Sequence, residues 1–412
     1  MIELTKPLPP LSLYVHLPWC VQKCPYCDFN SHALQATAGV GASAKPRLDA
    51  VVEQQYVQAL LADLDFEILA YPQLVERPLV SIFFGGGTPS LMSPDGYKVF
   101  FAGLKSRLQL TADCEITLEA NPGTVEQSRF SGYREAGINR LSMGVQSFAD
   151  KQLKALGRIH SGQEAVAAVA AARNAGFDNF NLDLMHGLPD QTERLALDDI
   201  QQALDLAPTH LSWYQLTLEP NTEFFRRPPK LPEEDTLAVI QDAGSELIQG
   251  AGFVHYEVSA FALAGKQAKH NINYWSFGDY LGIGAGAHGK LSRFSGSGFS
   301  EQGKLVIERR WKTRQPQAYL SRLIENRDFL AGTEILTPEE LPIEFMMNAL
   351  RLVDGVAAKS YPLRTGLSLS DLQPHIQALK QRELWTNNDE RLACSDLGWR
   401  WLNTALEQFI TI

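Results

Sequence analysis

The chain has 412 residues, 45% hydrophobic and 20% charged, ordinary globular usage that excludes a disordered polymer. A net charge of −10 argues against nucleic acid as a partner. No apolar run approaches the roughly 18 residues of a membrane span, and the length suits two to three domains or one large α/β barrel with an appendage.

The N-terminal stretch MIELTKPLPP lacks a basic segment followed by a long apolar core, so no secretory signal is expected. Leu11 to Leu17 (LSLYVHL) is short, apolar and closed by Pro18, and reads as a buried strand. A loop at 18–32 follows, carrying Cys20, Cys24 and Cys27 in C-x3-C-x2-C spacing. Five cysteines are too few and too odd for a disulfide framework. In a reducing, cytoplasmic setting the cluster therefore reads as metal-binding or catalytic. Residues 33–47 are rich in Ala, Gly and Ser and read as a flexible insertion, and 49–70 reads as a helix.

A rhythm then sets in. Strand-like runs at 79–84, 115–119, 140–145, 179–185 and 210–218 alternate with helical stretches at 94–108, 125–136, 162–175 and 193–206. That alternation predicts parallel strands joined by crossover helices. With the first strand it makes six βα units, an α/β fold whose natural form is an open, partial (βα)6 barrel. Polar and unusual residues gather at the strand ends, where such a barrel builds its active face. We expect this unit at 1–252, a barrel-closing and linker segment at 253–334, and a small helical, winged-helix-like module at 335–412. In that module helices are expected at 340–352, 370–382 and 396–409, with a hairpin at 385–394.

Thiolates favour zinc or iron–sulfur. A structural zinc needs a fourth ligand, for which His16 and His32 are candidates. Three thiolates on a four-iron cluster leave one iron open to a small molecule. Cys114 and Cys394 stand alone and read as buried apolar residues. Gly85 to Ser90 (GGGTPS) reads by itself as a tight turn, and GIGAGAHG (282–289) is too weak a pattern for a dinucleotide loop.

C-x3-C-x2-C after a first strand, with Tyr26 inside it, resembles the radical S-adenosylmethionine (SAM) superfamily. The resemblance implies a 4Fe-4S cluster on Cys20, Cys24 and Cys27, with SAM on the open iron, where reduction can yield a deoxyadenosyl radical. It also implies SAM contacts from Tyr14, Tyr26, Phe29, Gly87, Thr88, Glu119, Gln146, Arg158 and Asp183. Almost the whole chain, through YVHLPWC, GGGTPS, LEANPGT, RLSMGVQSF, LGRIHS, LDLMHGLPDQT and LSWYQLTLEPNT, resembles the oxygen-independent coproporphyrinogen oxidase group. In three features it resembles that group's haem-chaperone branch more than the oxidase. Phe29 stands where the oxidase has a further cysteine, only ten residues precede Leu11, and HNINYW (270–275) fits a motif of the branch. The resemblance implies haem as a third cofactor with His270 as its candidate ligand and His288 as the next. It further implies transfer of haem to an acceptor protein, including one at a membrane, rather than catalysis. The alternative is oxidative decarboxylation of porphyrinogen, or another radical SAM reaction.

Overall fold

The computed structural model describes residues 8–34, 48–123, 127–295 and 303–410. The insertion expected at 33–47 lies almost wholly outside them, as does the start of the helix expected from 125.

Strands β1 (Leu11–Leu17), β2 (Leu79–Gly86), β3 (Leu110–Ala120), β4 (Arg140–Gln146), β5 (Phe180–His186) and β6 (His210–Gln215) lie side by side in chain order, all parallel. Crossover helices α1 (Ala50–Ala70), α2 (Pro94–Lys105), α3 (Phe130–Ala136), α4 (Gly162–Asn174), α5 (Glu193–Asp205) and α6 (Glu234–Gly250) follow them. Local chemistry sets the helix starts. Asp49 accepts hydrogen bonds from the amides of Val51 and Val52 at the head of α1. Ser161 and Glu164 form a reciprocal capping box at the head of α4, three residues after Arg158.

Register decides which side chains share the inner face. Tyr14 pairs with Phe83, Phe83 with Thr117, Glu119 with Ser142, Gly144 with Asp183, and Asp183 with Ser212. Period two therefore brings Tyr14, Glu119, Gly144, Asp183 and Tyr214 to one side of the sheet. The other side is apolar and takes the helices. Phe84, for example, meets Tyr97, Phe100 and Phe101 of α2 edge-on at 5.0–5.7 Å.

The segment after residue 253 lengthens the sheet at both edges. β7 (Val254–Glu257) and β8 (Ala260–Ala262) add antiparallel strands beside β6. β9 (Asp279–Ile283) pairs in parallel with β1, and β10 (His288–Phe294), β11 (Leu305–Lys312) and β12 (Leu330–Ile335) continue outward as an antiparallel meander. The order is β12-β11-β10-β9-β1-β2-β3-β4-β5-β6-β8-β7, so β12 and β7 form the two free edges.

A second core joins this extension to the C-terminal module. It includes Tyr256, Phe277 and Ile307 from the extension, and Phe345, Tyr361, Leu379 and Trp385 from the module. The module has helices at Leu341–Ala349, Gln373–Gln381, Asp396–Arg400 and Leu402–Glu407, and Trp385 bridges Cys394 across the expected hairpin. The helix Ser360–Thr365 and the strand Val356–Ala357, paired with Arg391–Leu392, are additions to the expected pattern.

Candidate functional site

The cysteine loop lies at the carboxyl end of β1. Its base is closed by a short parallel ladder of Trp19–Cys20 with His32–Ala33. Within it the Cys27 amide donates to the Cys24 carbonyl at 3.1 Å. Burial pushes the Cys20 thiol up; Thr88 and Ser31 oppose this by hydrogen bonding, while the neighbouring Cys27 and Cys24 add to it. Burial also raises Cys27, with Cys24 again contributing. All three sulfurs therefore feel one another.

The histidine candidates for a zinc site are otherwise engaged. The Asn30 carbonyl can only accept, so His16 Nε2 carries the proton it donates at 2.9 Å, and Nδ1 accepts from the Tyr14 hydroxyl at 2.8 Å. Burial lowers the His16 pKa to about 4. His32 Nε2 turns to Asn30 Oδ1 at 3.3 Å. Among the described residues, no three His, Cys, Asp or Glu side chains converge on a single-ion site. Three thiols without a fourth protein ligand fit a four-iron cluster with one open iron better than they fit zinc.

The glycine turn after β2 abuts this loop. The Gly87 amide donates to Leu17 O at 2.7 Å and the Thr88 amide to Trp19 O at 2.6 Å. A Cβ on Gly87 would lie 2.5 Å from the Trp19 carbonyl oxygen, so no side chain fits. Gly86, with φ of +114°, runs over the His16 ring, and its amide donates to Glu119 Oε2 at 3.2 Å.

Glu119 and Asp183 face the same space. Burial first and the Asp183 carboxylate second raise the Glu119 pKa, against the Gly86 amide, to about 8. Asp183 is also raised by burial, against hydrogen bonds from Asn181, Ser212 and Ser142. Tyr14 is raised by burial first and by Glu119 second, which puts it beside the same carboxylate.

Arg158 arrives from the turn before α4. Its Nη2 donates to Asn121 Oδ1 at 2.6 Å and to Gly144 O at 2.8 Å, and its Nη1 lies 3.6 Å from Cys24 Sγ. Its Nε is buried without a partner among the described residues. Burial works against its charge, and Tyr26 and Cys24 outweigh burial. Gln146 holds a left-handed φ of +68° and accepts from the Tyr214 hydroxyl at 2.8 Å. A side chain on Gly144 would meet Gln146 Nε2 at 3.2 Å and Arg158 Nη2 at 3.5 Å, so the bare glycine leaves room for both.

Tyr14, Tyr26, Gly87, Thr88, Glu119, Gln146, Arg158 and Asp183 thus surround the cysteine loop and the adjoining strand ends. Phe29, on the same loop, is 63% exposed. His270 lies deeper, on helix α7 (Lys269–Trp275), only 6% exposed. Its Nδ1 is 2.7 Å from Glu115 Oε1 and its ring is 4.4 Å from that of Phe83. Burial lowers the His270 pKa, while Glu115 opposes this. His288 is exposed on β10. Cys114 and Cys394 are buried, and burial pushes both up to about 12. Sequence reasoning missed Asn30, Asn121, Glu115 and Tyr214. Asn121 lies inside LEANP and was open to notice there; the others acquire partners only through the fold.

The residues present fit a cluster with SAM beside it: three thiols, a backbone turn bare of side chains, two enclosed carboxylates for a cationic ligand, and a buried guanidinium with an unused donor.

Residues 14–207 match the model of the Radical SAM superfamily, and residues 336–401 match the HemN C-terminal domain. Proteins named Heme chaperone HemW from Haemophilus influenzae and Escherichia coli are each 46% identical to the chain, covering 98% of it and 99% of their own length. The radical S-adenosyl methionine domain-containing protein 1, mitochondrial, of Bos taurus is 32% identical over 96% of this chain and 86% of its own. The solved coproporphyrinogen III oxidase (HemN) from Escherichia coli superposes with a TM-score of 0.77 at 21% identity, covering 99% of this chain and 92% of that one, a likeness of fold. No described helix is long and apolar enough to cross a membrane. With a radical SAM core, a HemN-type C-terminal domain and 46% identity along nearly its whole length, the chain belongs to the HemW family of radical SAM proteins.

Proposed function

We propose that this protein is a cytoplasmic haem chaperone, which binds haem and passes it to an acceptor protein. The observation that carries this reading is the full-length relationship to proteins named as heme chaperones, at 46% identity. In this reading Cys20, Cys24 and Cys27 hold a 4Fe-4S cluster. SAM lies against Tyr14, Tyr26, Gly87, Thr88, Glu119, Gln146, Arg158 and Asp183. When bound, the cluster and SAM supply one-electron chemistry. The chain's own residues do the holding: Glu119 and Asp183 face the cationic ligand, and Arg158 offers its guanidinium to a carboxylate.

His270 is our candidate haem ligand. Glu115 accepts from its Nδ1–H, which leaves the lone pair on Nε2 and fixes the ring, as outer partners do for metal-binding histidines. The exposed His288 is the second candidate.

The test is anaerobic reconstitution followed by parallel assays of haem binding and coproporphyrinogen III turnover. The chaperone reading expects haem binding, transfer to an apo-acceptor and no porphyrinogen product. Sustained decarboxylation without haem affinity overturns it in favour of the oxidase reaction.

A further inference from the structure

Beyond the ladder at its base, the Cys27 side of the cysteine loop is tied by Asn30 to the far end of the chain. Asn30 Nδ2 donates to two carbonyls, Ala285 O and Arg314 O, each at 2.9 Å. Its own carbonyl accepts from His16 Nε2, and its Oδ1 from His32. The side-chain amide is thus used on both donors and on its acceptor.

The turn it meets is rigid. Gly284 N donates to Asp63 Oδ2 and to the Tyr319 hydroxyl, each at 3.1 Å. Ala285 N donates to the Tyr56 hydroxyl at 2.9 Å, and that hydroxyl donates to His16 O at 2.7 Å. Gly286 N reaches Thr313 O at 3.0 Å, and Lys312 N reaches Ala287 O at 2.9 Å. Gly286 has a φ of +82°, and a Cβ there would stand 2.3 Å from Asn30 Nδ2. The turn is therefore shaped to receive this amide, and any side chain at 286 would expel it.

We propose that Asn30 is a positioning residue for the cluster, holding the Cys27 end of the loop against the Gly284–Ala287 turn so that the thiols keep their spacing. This rests on the reading that Cys20, Cys24 and Cys27 carry the cluster. The wall against which the loop is held then comes from residues 284–314, which lie between the two matched family regions. Asn30 touches no thiol; it acts through the loop backbone.

Three full-length variants test this: Asn30→Ala, which removes both donors; Asn30→Asp, which puts a carboxylate against two carbonyls; and Gly286→Ala, which attacks the same contact from the other side. Each is reconstituted anaerobically. The readouts are iron release to a ferrous chelator and hydrogen exchange of the apoprotein. Loss of one or two net hydrogen bonds predicts release about tenfold faster for Asn30→Ala, faster still for Asn30→Asp, and a similar increase for Gly286→Ala. Amide exchange should rise at Ser31, His32 and Leu34 while β2 to β5 stay protected. A purely structural role would instead raise exchange across the sheet. Should Asn30→Ala fail to fold, Gly286→Ala carries the test with the same readouts. Wild-type iron release in folded variants overturns this proposal alone. A wild-type protein that takes up no iron and sulfide overturns the cluster reading, and this proposal with it.

Discussion

Arg158 reaches Cys24: its Nη1 lies 3.6 Å from the sulfur while Nη2 is held by Asn121 and Gly144. A cationic donor on a cluster thiolate stabilises the reduced, more negative form, because hydrogen bonds to sulfur and net charge set the potential. Arg158→Gln should therefore shift the cluster to a more negative midpoint potential, read by anaerobic titration followed by EPR. SAM affinity should fall in the same variant. An unchanged potential would limit Arg158 to ligand binding.

Replacing Cys20, Cys24 and Cys27 together by Ala should abolish the iron–sulfur absorbance after anaerobic reconstitution. Zinc should not restore a site, since both nitrogens of His16 are engaged. Four irons and four sulfides retained in the triple variant would show the ligands to be elsewhere.

With Glu119 at the proposed SAM site, SAM binding should depend on pH. Its folded pKa of about 8 lies above its ordinary 4.5, so it is mainly neutral at pH 7 in the free protein. The stability it contributes is fully present below 4.5 and is lost as pH rises through about 8. A cationic ligand favours the ionised carboxylate, so SAM affinity should rise as pH climbs toward about 8 and then level off. Glu119→Gln should flatten that profile in calorimetry and weaken binding about tenfold or more, the worth of a charge-assisted bond. A profile identical to wild type would take Glu119 out of the site.

Lys312 is buried between Asp63 and Glu67, its Nζ 2.5 Å from an oxygen of each, with Arg310 beside them on Glu67. Lys312→Met keeps the stem but strands two buried carboxyls, a loss of roughly 3–5 kcal/mol. Urea unfolding of the apoprotein measures it. Adding Asp63→Asn should recover part of the loss, whereas a neutral Lys312→Met would show that the network carries no net stability.

His270→Ala should weaken haem binding or change the haem spectrum while the cluster absorbance persists. Glu115→Gln should do the same to a smaller degree, because it loosens the Nδ1 partner. Unaltered haem binding in the His270 variant moves the ligand to His288, to be tested by His288→Ala.

Much of the barrel was legible because parallel strands covered on both faces read as short apolar runs, as LSLYVHL does. The cysteine spacing and the polar strand ends marked the active face for the same reason: neither pattern suits a strand or helix interior. What the sequence hid was long-range pairing. β11 (LVIERRWK) buries Glu308, Arg310 and Lys312, charged residues that make sense only once Asp63 and Glu67 of α1 stand opposite. That strand was missed on that account. Asn30 looked like any loop asparagine, since both of its carbonyl partners lie more than 250 residues away. Phe29 is expected beside the ligand from its motif; its exposed side chain shows that this position is not held by packing, which the local sequence does not determine.

The parallel pairing of β1 with β9 sets Leu11 beside Asp279, and Asn30 meets Ala285 across 255 residues. Contacts of that sequence separation form late, since the intervening loop must close first. During synthesis the three thiols leave the ribosome early, whereas the turn that braces them emerges only after some two-thirds of the chain. A nascent chain therefore exposes reactive sulfur before it owns a complete pocket. If these cysteines carry the cluster, a chain truncated before residue 284 should keep them and still hold it poorly.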